Sequence, residues 1–345
     1  MRLDAIGVLR RGWSNFRANW ELLPLQWALT LAFGALFAIS LVPIVVAIGW
    51  SVFAGAPSSP DGWGDWLTGL PAILMARAVP LTFGVVASLV LGTIAILAYA
   101  FMLGGTYGTY WAGDRQAPAG AGTLPPLFRV YSWELFSGWG RRRLWTYFWL
   151  VHFFVAVVLV LLLFWLLLVF GAVAAYQGYG GFAAFGLGCG GAIPLLFVGL
   201  VVSFWFQLAL VEAAREEATV ATAVRQGLRL LGERLGAFLL LFLLQLVAGM
   251  VMGMVFMPVA VASSLAMRGQ PGIDLMVRIP LQFVQWLLSV TVQLVFQAAY
   301  VALARDTWRL PEAPVADPSP QAPAASDASG ADEEPQSAPA AASEE

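Results

Sequence analysis

The chain has 345 residues, of which 60% are hydrophobic and only 11% are charged. This composition leaves too little polar surface to cover a water-soluble globule, so it excludes an ordinary soluble protein and predicts an integral membrane protein. The formal net charge of −2 is the sum of a basic N-terminal part and an acidic C-terminal part. Residues 1–305 contain 17 arginines and 11 acidic residues, whereas residues 306–345 contain one arginine and nine acidic residues.

The first 20 residues predict an amphipathic helix at the membrane surface. This segment contains four arginines. Its apolar residues keep helical spacing on a face opposite to them; these residues are Leu3, Ile6, Leu9, Trp13, Phe16 and Trp20. The uncharged run from Leu22 to Trp50 is too long for the core of a cleaved secretory signal. It therefore predicts a first membrane span, kinked at Pro43.

A second span, from about Pro80 to Met102, follows a Pro/Gly/Ser/Asp-rich loop at residues 55–69. Small residues recur along and just beyond this span at steps of four, a spacing that lets membrane helices approach closely. These residues are Gly84, Ser88 and Gly92, followed by Gly104 and Gly108.

The middle of the chain predicts the same order of parts. After a loop at residues 112–126, the segment from Leu127 to Arg143 predicts a second surface helix, which ends in three consecutive arginines. The stretch from Leu144 to Val211 contains no Asp, Glu, Lys or Arg. It is long enough for spans three and four, divided by a glycine-rich turn from Gln177 to Gly191.

The segment from Glu212 to Gly236 predicts a third surface helix between two apolar runs. Its apolar residues recur at steps of three and four on one face, namely Val220, Val224, Leu228, Leu231 and Leu235. The polar residues Arg225, Gln226, Arg229 and Glu233 point elsewhere. Spans five and six follow, from about Leu235 to Ala262 and from Ile279 to Ala304.

The predicted fold class is all-α: an integral membrane helical bundle of about six transmembrane helices, with amphipathic surface helices on the cytoplasmic side. We expect three units of one surface helix and one hairpin each, at residues 1–111, 125–211 and 212–305. Aligning Val8–Trp13 with Ala223–Leu228 matches one arginine and one glycine. Residues 306–345 predict a disordered, acidic, Pro/Ala-rich tail, which is either simply solvated or competes with anionic lipid for the basic surface helices.

The distribution of arginine predicts the orientation. The segments on the N-terminal side of the bilayer contain 15 arginines, and those on the other side contain three. Because basic loops are retained in the cytoplasm, we expect a protein of the cell (inner) membrane with both termini cytoplasmic.

Nine arginines are candidate contacts for anionic lipid headgroups, because each basic residue near an anionic surface contributes about 1 kcal/mol to binding. They are Arg10, Arg11, Arg17, Arg141, Arg142, Arg143, Arg225, Arg229 and Arg234. The alternative is that they only fix the topology. The expected partners are therefore the lipid bilayer, anionic headgroups and an unidentified protein, and no nucleic acid.

The sixth span contains a candidate intramembrane polar stripe within an arc of roughly 120°. It consists of Gln282, Gln285, Ser289, Gln293, Gln297 and Tyr300. Because an amide facing lipid lacks hydrogen-bond partners, we expect the stripe to face other helices or water, with Gln245 and Gln207 as candidate partners. Hydrogen bonding between helices and a polar pathway for a solute both fit this pattern.

The sequence offers few groups for catalysis. His152 is the only histidine and Cys189 the only cysteine, so neither a multi-histidine nor a cysteine-based metal site is expected, and no cofactor. His152 is interpreted as a structural hydrogen-bonding residue and Glu212 as a partner of Arg215. We expect a non-enzymatic, membrane-organising or interaction protein; a solute permease that uses the polar stripe is the alternative.

The string LVEAAREEATVATAVRQGLRLLGERLGAFLLLFLL, from Leu210 to Leu244, resembles a recurring segment of a bacterial family. This family comprises multi-pass proteins grouped with the glycerophosphoryl diester phosphodiesterase membrane domain and the YciC-like inner-membrane proteins. The opening RLDAIGVLRRGWSNFRANWELLPL is similar in the same way. The resemblance implies a six-span membrane domain of unassigned activity over most of residues 1–305. Some relatives also have a soluble phosphodiesterase domain, an activity that we do not extend to this chain because only the acidic tail follows span six.

Overall fold

The structure, a computed structural model, describes residues 3–52, 69, 72, 75–117, 124–266 and 271–308. Within these residues the elements are helical and no strand occurs. The helices are α1 (Ala5–Ala18), α2 (Leu22–Val52), α3 (Ala78–Gln116), α4 (Trp133–Tyr179), α5 (Gly181–Glu212), α6 (Val220–Glu233), α7 (Leu235–Ala266) and α8 (Pro271–Trp308), with a 3₁₀ turn at Pro125–Phe128.

Six of these helices, α2, α3, α4, α5, α7 and α8, are long and apolar enough to cross a membrane. The prediction of an all-α, multi-pass membrane bundle is therefore confirmed. The predicted loop at residues 55–69 and the predicted acidic tail lie almost entirely outside the described residues.

The second predicted surface helix is not a separate element. The segment from Trp133 to Arg143 forms the first three turns of α4 and continues without a break into the third span. The Ser132 hydroxyl starts this helix by accepting a hydrogen bond from the Leu135 N–H at 3.1 Å. No proline follows within the helix to end it before the apolar run. Similarly, α3 extends to Gln116, beyond the predicted end of span two.

The predicted glycine-rich turn from Gln177 to Gly191 is also much shorter than expected. Helix α4 ends at Tyr179 and α5 begins at Gly181, so the turn is concentrated at Gly180. The φ angle of Gly180 is +85°, a conformation that glycine adopts without steric cost. Gly178 lies within α4 and the glycines from Gly181 to Gly191 lie within α5, because a hydrocarbon environment favours closing backbone hydrogen bonds inside a helix.

The two separate surface helices make their closest contacts with the spans through glycine. Of the apolar residues selected by the spacing, Phe16 and Leu231 are also buried. A Cβ atom added at Gly12 of α1 would lie 2.5 Å from the Cα atom of Ala299 in α8. A Cβ atom added at Gly227 of α6 would lie 2.7 Å from the backbone nitrogen of Ala209 in α5. The backbones therefore touch, and the larger Leu228 is left 52% exposed.

The C-terminal part of α8 lies at the centre of the helical bundle. Its side chains from Phe296 to Arg305 are buried, and α1, α3, α5 and α7 pack around it. Each of these neighbours presents its own terminus near that of α8, which brings distant parts of the sequence together.

The predicted small-residue contacts of span two are confirmed. Gly84 packs against the Pro43 carbonyl and the Ala47 side chain of α2, and the Ser88 hydroxyl accepts a hydrogen bond from the Ile44 N–H at 3.2 Å. Farther along α3, Gly104 lies against the backbone of α4. These contacts hold the first hairpin together and fix α4 beside it.

Candidate functional site

The bundle end that contains α1, α6, the first turns of α4 and the C-termini of α3, α5 and α8 concentrates the charged residues; we call it the basic end. Asp114, at the C-terminus of α3, has a side chain only 2% exposed. Its two carboxylate oxygens accept hydrogen bonds from Arg11 Nε at 2.7 Å and from Arg305 Nη1 at 3.1 Å. One carboxylate therefore ties α1, α3 and α8 together.

A second carboxylate, Asp306, joins α8 to the start of the chain and to the junction of α6 and α7. It accepts hydrogen bonds from Arg234 Nη1 at 2.9 Å and from the backbone N–H of Leu3 at 3.1 Å. Arg234 also donates to the Leu3 carbonyl at 2.8 Å. Both charged side chains are largely buried, so this pair is shielded from solvent.

Glu212 forms the third connection. Its carboxylate accepts hydrogen bonds from Trp308 Nε1 at 2.6 Å and from Arg215 Nη1 at 3.2 Å, so its predicted pairing with Arg215 is confirmed. Arg215 also donates to the Gln226 side-chain oxygen at 2.6 Å. The C-termini of α5 and α8 and the middle of α6 are thereby linked around one buried acid.

A polar cavity of about 420 Å³ lies among these connections. Three guanidinium groups and three carboxylates line it, from Arg115, Arg215, Arg305, Glu212, Glu216 and Glu217. Arg115 and Glu216 form an ion pair of 2.7 Å at its exposed part. Because acidic and basic groups are equal in number and mostly paired, the cavity wall is close to neutral.

A sequence repeat underlies this arrangement and escaped the analysis of the sequence. The end of α5 and the turn after it read Gln207-x-Ala209-x-Val211-x-x-Ala214-Arg215-Glu216, and the end of α8 reads Gln297-x-Ala299-x-Val301-x-x-Ala304-Arg305-Asp306. The two matched alanines, Ala209 and Ala299, are those that receive Gly227 and Gly12. Aligning the ends of the spans, as well as the surface helices, would have revealed it.

The nine predicted headgroup contacts divide into two groups. Arg11, Arg143 and Arg234 are turned into the protein: Arg11 and Arg234 are bound to Asp114 and Asp306, and Arg143 donates to the Ala218 carbonyl at 3.2 Å. For these three residues the prediction needs correction, because their guanidinium groups already have protein partners. The exposed group consists of Arg10, Arg17, Arg141, Arg142, Arg225 and Arg229.

Of the exposed group, Arg229 pairs with Glu233 at 2.7 Å. The other five have no ion pair among the residues that the structure describes. Each lies beside a large exposed apolar side chain on the same element. On α1 one exposed face carries Ile6, Arg10, Trp13 and Arg17, which fall within roughly 60° of the helix circumference, and Trp20 is exposed just beyond the end of the helix.

The other two elements repeat this association on a smaller scale. Arg141 and Arg142 lie one turn before Trp145, which is 61% exposed, and Arg225 lies one turn before Leu228. Of the apolar set predicted for this surface helix, Ile6, Trp13 and Trp20 are exposed, whereas Phe16 is buried. The face that α1 buries against the bundle contains Val8, Gly12 and Asn15, on the opposite side of the helix.

The polar stripe of α8 also divides. Gln297 and Tyr300 are buried, and Tyr300 Oη donates to the predicted partner Gln245 at 3.0 Å. In contrast, Gln282, Gln285, Ser289 and Gln293 are exposed on the outside of the chain. The stripe was expected to face other helices or water. Its last two residues face other helices of this chain, and its first four do not, because α8 is enclosed only in its second half.

We expect Gln297→Leu to leave the free energy of unfolding unchanged or to raise it by about 1 kcal/mol. The side-chain oxygen of Gln297 is buried without a hydrogen-bond partner in the described part of the chain, so its removal relieves an unmet desolvation cost. Tyr300→Phe, which deprives Gln245 of its donor, should lower the free energy by about 0.6–2 kcal/mol. Thermal unfolding in detergent measures both changes, and a larger loss for Gln297→Leu would contradict this assignment.

His152 lies where a structural hydrogen-bonding residue is expected. Its Nδ1 atom lies 2.8 Å from the Phe148 carbonyl one turn earlier in α4, and its ring packs on the Phe148 ring. No cluster of three or more His, Cys, Asp or Glu side chains suited to a metal ion occurs among the described residues.

The fold and the placement of charge define the class of this protein as a multi-pass helical membrane protein with a buried ion-pair network at one end. No protein-family model, curated protein or solved structure matches the chain.

Proposed function

We propose that this chain is a non-enzymatic membrane-organising protein whose surface elements bind anionic lipid headgroups. One observation carries the proposal: on α1, on α6 and on the first turns of α4, exposed arginines without acidic partners in the described residues lie beside exposed tryptophan or leucine. Tryptophan favours the headgroup level of a bilayer, and arginine binds phosphate oxygens through two parallel hydrogen bonds.

The face of α1 supports this proposal most strongly. Trp13 and Trp20 are 47% and 59% exposed, Arg10 lies one turn before Trp13, and Arg17 lies between the two tryptophans in the sequence. In water these indole rings would leave apolar area uncovered, whereas at the bilayer surface they would be buried between headgroups. The opposite face is fixed on α8 through Gly12, so α1 presents its basic and aromatic side outward from the bundle.

The same reasoning supports an orientation in which the basic end lies on the cytoplasmic side of the inner membrane. The cytoplasmic leaflet carries anionic lipids, and basic segments are retained there. The resemblance to the YciC-like family agrees with a multi-pass protein of this organisation.

The permease alternative receives less support from the contacts. A solute pathway through this chain needs the polar stripe to line an interior passage, whereas four of its six side chains lie on the outside. The polar cavity described above lies at the basic end, and most of the charged side chains that line it are paired.

The decisive variant is Arg10→Gln/Arg17→Gln in the full chain. If each arginine contributes about 1 kcal/mol, affinity for an anionic headgroup should fall on the order of fivefold per residue. The measurement is the ratio of phosphatidylglycerol to phosphatidylethanolamine that remains bound after purification in mild detergent, determined by mass spectrometry of the extracted lipid.

The matched control is Arg10→Lys/Arg17→Lys, which keeps the charge and should retain most of the anionic lipid. Both variants leave the buried contacts of Gly12 and Arg11 in place, so unfolding temperatures should stay close to that of the parent. An unchanged lipid ratio in the glutamine variant would overturn the proposal and leave the arginines as determinants of topology only.

A further inference from the structure

Headgroup binding does not use the exposed part of the polar stripe, Gln282, Gln285, Ser289 and Gln293. Helix α8 is a candidate membrane span from Ile279 to Trp308. With a rise of 1.5 Å per residue, Ser289 and Gln293 lie about 15 and 21 Å from Ile279, which places them near the middle of the span. Both side chains are exposed there.

Helix α7 covers the stripe only at its other end. Gln245 of α7 accepts the hydrogen bond of Tyr300, and the Phe238 ring stacks on the Tyr300 ring. One turn beyond Gln245, a Cβ atom added at Gly249 would meet nothing within 4 Å. Together with the exposure of the Gln293 side chain, this indicates that α7 does not cover the stripe at that depth.

Hydrocarbon cannot satisfy the exposed amides. Each glutamine side chain has two N–H donors and one carbonyl acceptor, and lipid tails offer neither a donor nor an acceptor. A lipid-facing position is therefore strongly disfavoured for Gln285 and Gln293, and something with hydrogen-bonding groups at the same depth must cover them.

We infer that the stripe is the contact surface between two copies of this chain. Two copies inserted in the same direction are related by a twofold axis along the membrane normal, which brings α8 beside α8 with equal residues at equal depth. Because an amide donates and accepts, each glutamine is complementary to its own counterpart. A second copy thus supplies the required groups at Gln282, Gln285 and Gln293 at once, whereas a different protein would need a matching stripe of its own.

Disulfide cross-linking in native membranes tests the contact directly. In a Cys189→Ala background, Ser289→Cys introduces a thiol at the centre of the stripe. The control Val284→Cys introduces one on the opposite face, where the parent side chain is 45% exposed. We expect mild oxidation to link Ser289→Cys into a species of twice the chain mass and to leave Val284→Cys as single chains.

Three outcomes would overturn the inference: no linked species for Ser289→Cys, a linked species of a mass other than twice that of the chain, or equal linking of Val284→Cys. The second of these would identify another protein as the occupant. The test is separate from headgroup binding, because neither substitution touches the arginines.

The triple variant Gln282→Leu/Gln285→Leu/Gln293→Leu gives an independent measurement. Each lost amide contact should weaken association roughly threefold to tenfold, so the dimer dissociation constant should rise on the order of thirtyfold or more. Single-molecule photobleaching in lipid bilayers counts the chains per spot. All three residues are exposed, so the monomer should unfold at its usual temperature, and an unchanged proportion of two-step bleaching would refute the dimer.

Discussion

Gly12→Leu and Gly227→Leu are expected to lower the free energy of unfolding by about 3 kcal/mol or more each, at the upper end of the cost of overpacking. At both positions the atoms in the way belong to the backbone of another helix, at 2.5 Å for Gly12 and 2.7 Å for Gly227. A backbone cannot rotate aside as a side chain can. The whole surface helix must therefore move away from its span, which separates every contact that it makes there.

Gly232→Leu is the matched control, because Gly232 belongs to the same helix as Gly227 and a Cβ atom there meets nothing within 4 Å. Removing a glycine from a helix interior should leave stability unchanged or raise it by about 0.5–1 kcal/mol. Thermal unfolding in detergent compares the three variants. A Gly227→Leu protein as stable as the control would show that α6 does not depend on this close approach.

These contacts show which part of the fold could be predicted from the sequence. The six spans follow from long apolar runs, and the existence of α1 and α6 follows from helical periodicity. Apolar periodicity does not show which residues of α1 and α6 contact the spans: Phe16 and Leu231 are buried, whereas Trp13 and Leu228 are exposed. In the structure, Gly12 and Gly227 decide the contact by allowing the backbones to touch.

The candidate site could be predicted only in part, and the reason is different. Exposed arginines such as Arg10 and Arg142 follow from local composition. The partners of Arg11 do not, because Asp114 lies 103 residues away in a segment expected to be a loop. Periodicity carries no information about pairs so distant, and only the matched ends of α5 and α8 contained a usable signal.

Asp114→Asn should lower the free energy of unfolding by about 3–5 kcal/mol, because removing one member of a buried ion pair leaves its partner charged and unpaired. Here the carboxylate serves two arginines, Arg11 and Arg305, whose side chains are 15% and 8% exposed. Asparagine preserves the shape and can still accept a hydrogen bond, but it supplies no negative charge. The loss should appear as a lower unfolding temperature in detergent and as earlier proteolysis of α1.

The control Glu233→Gln removes a carboxylate from the exposed pair with Arg229 and should cost no more than about 1 kcal/mol. A double-mutant cycle between Asp114→Asn and Arg305→Gln should give a coupling energy of about 1–3 kcal/mol, because Arg305→Gln removes the positive charge that Asp114→Asn leaves unpaired. Additive single effects would mean that Asp114 and Arg305 do not depend on each other. Because the same carboxylate holds α1 and α8 together, its loss should also release the Arg10 and Arg17 face from its fixed position and lower anionic lipid retention, even though neither arginine is changed.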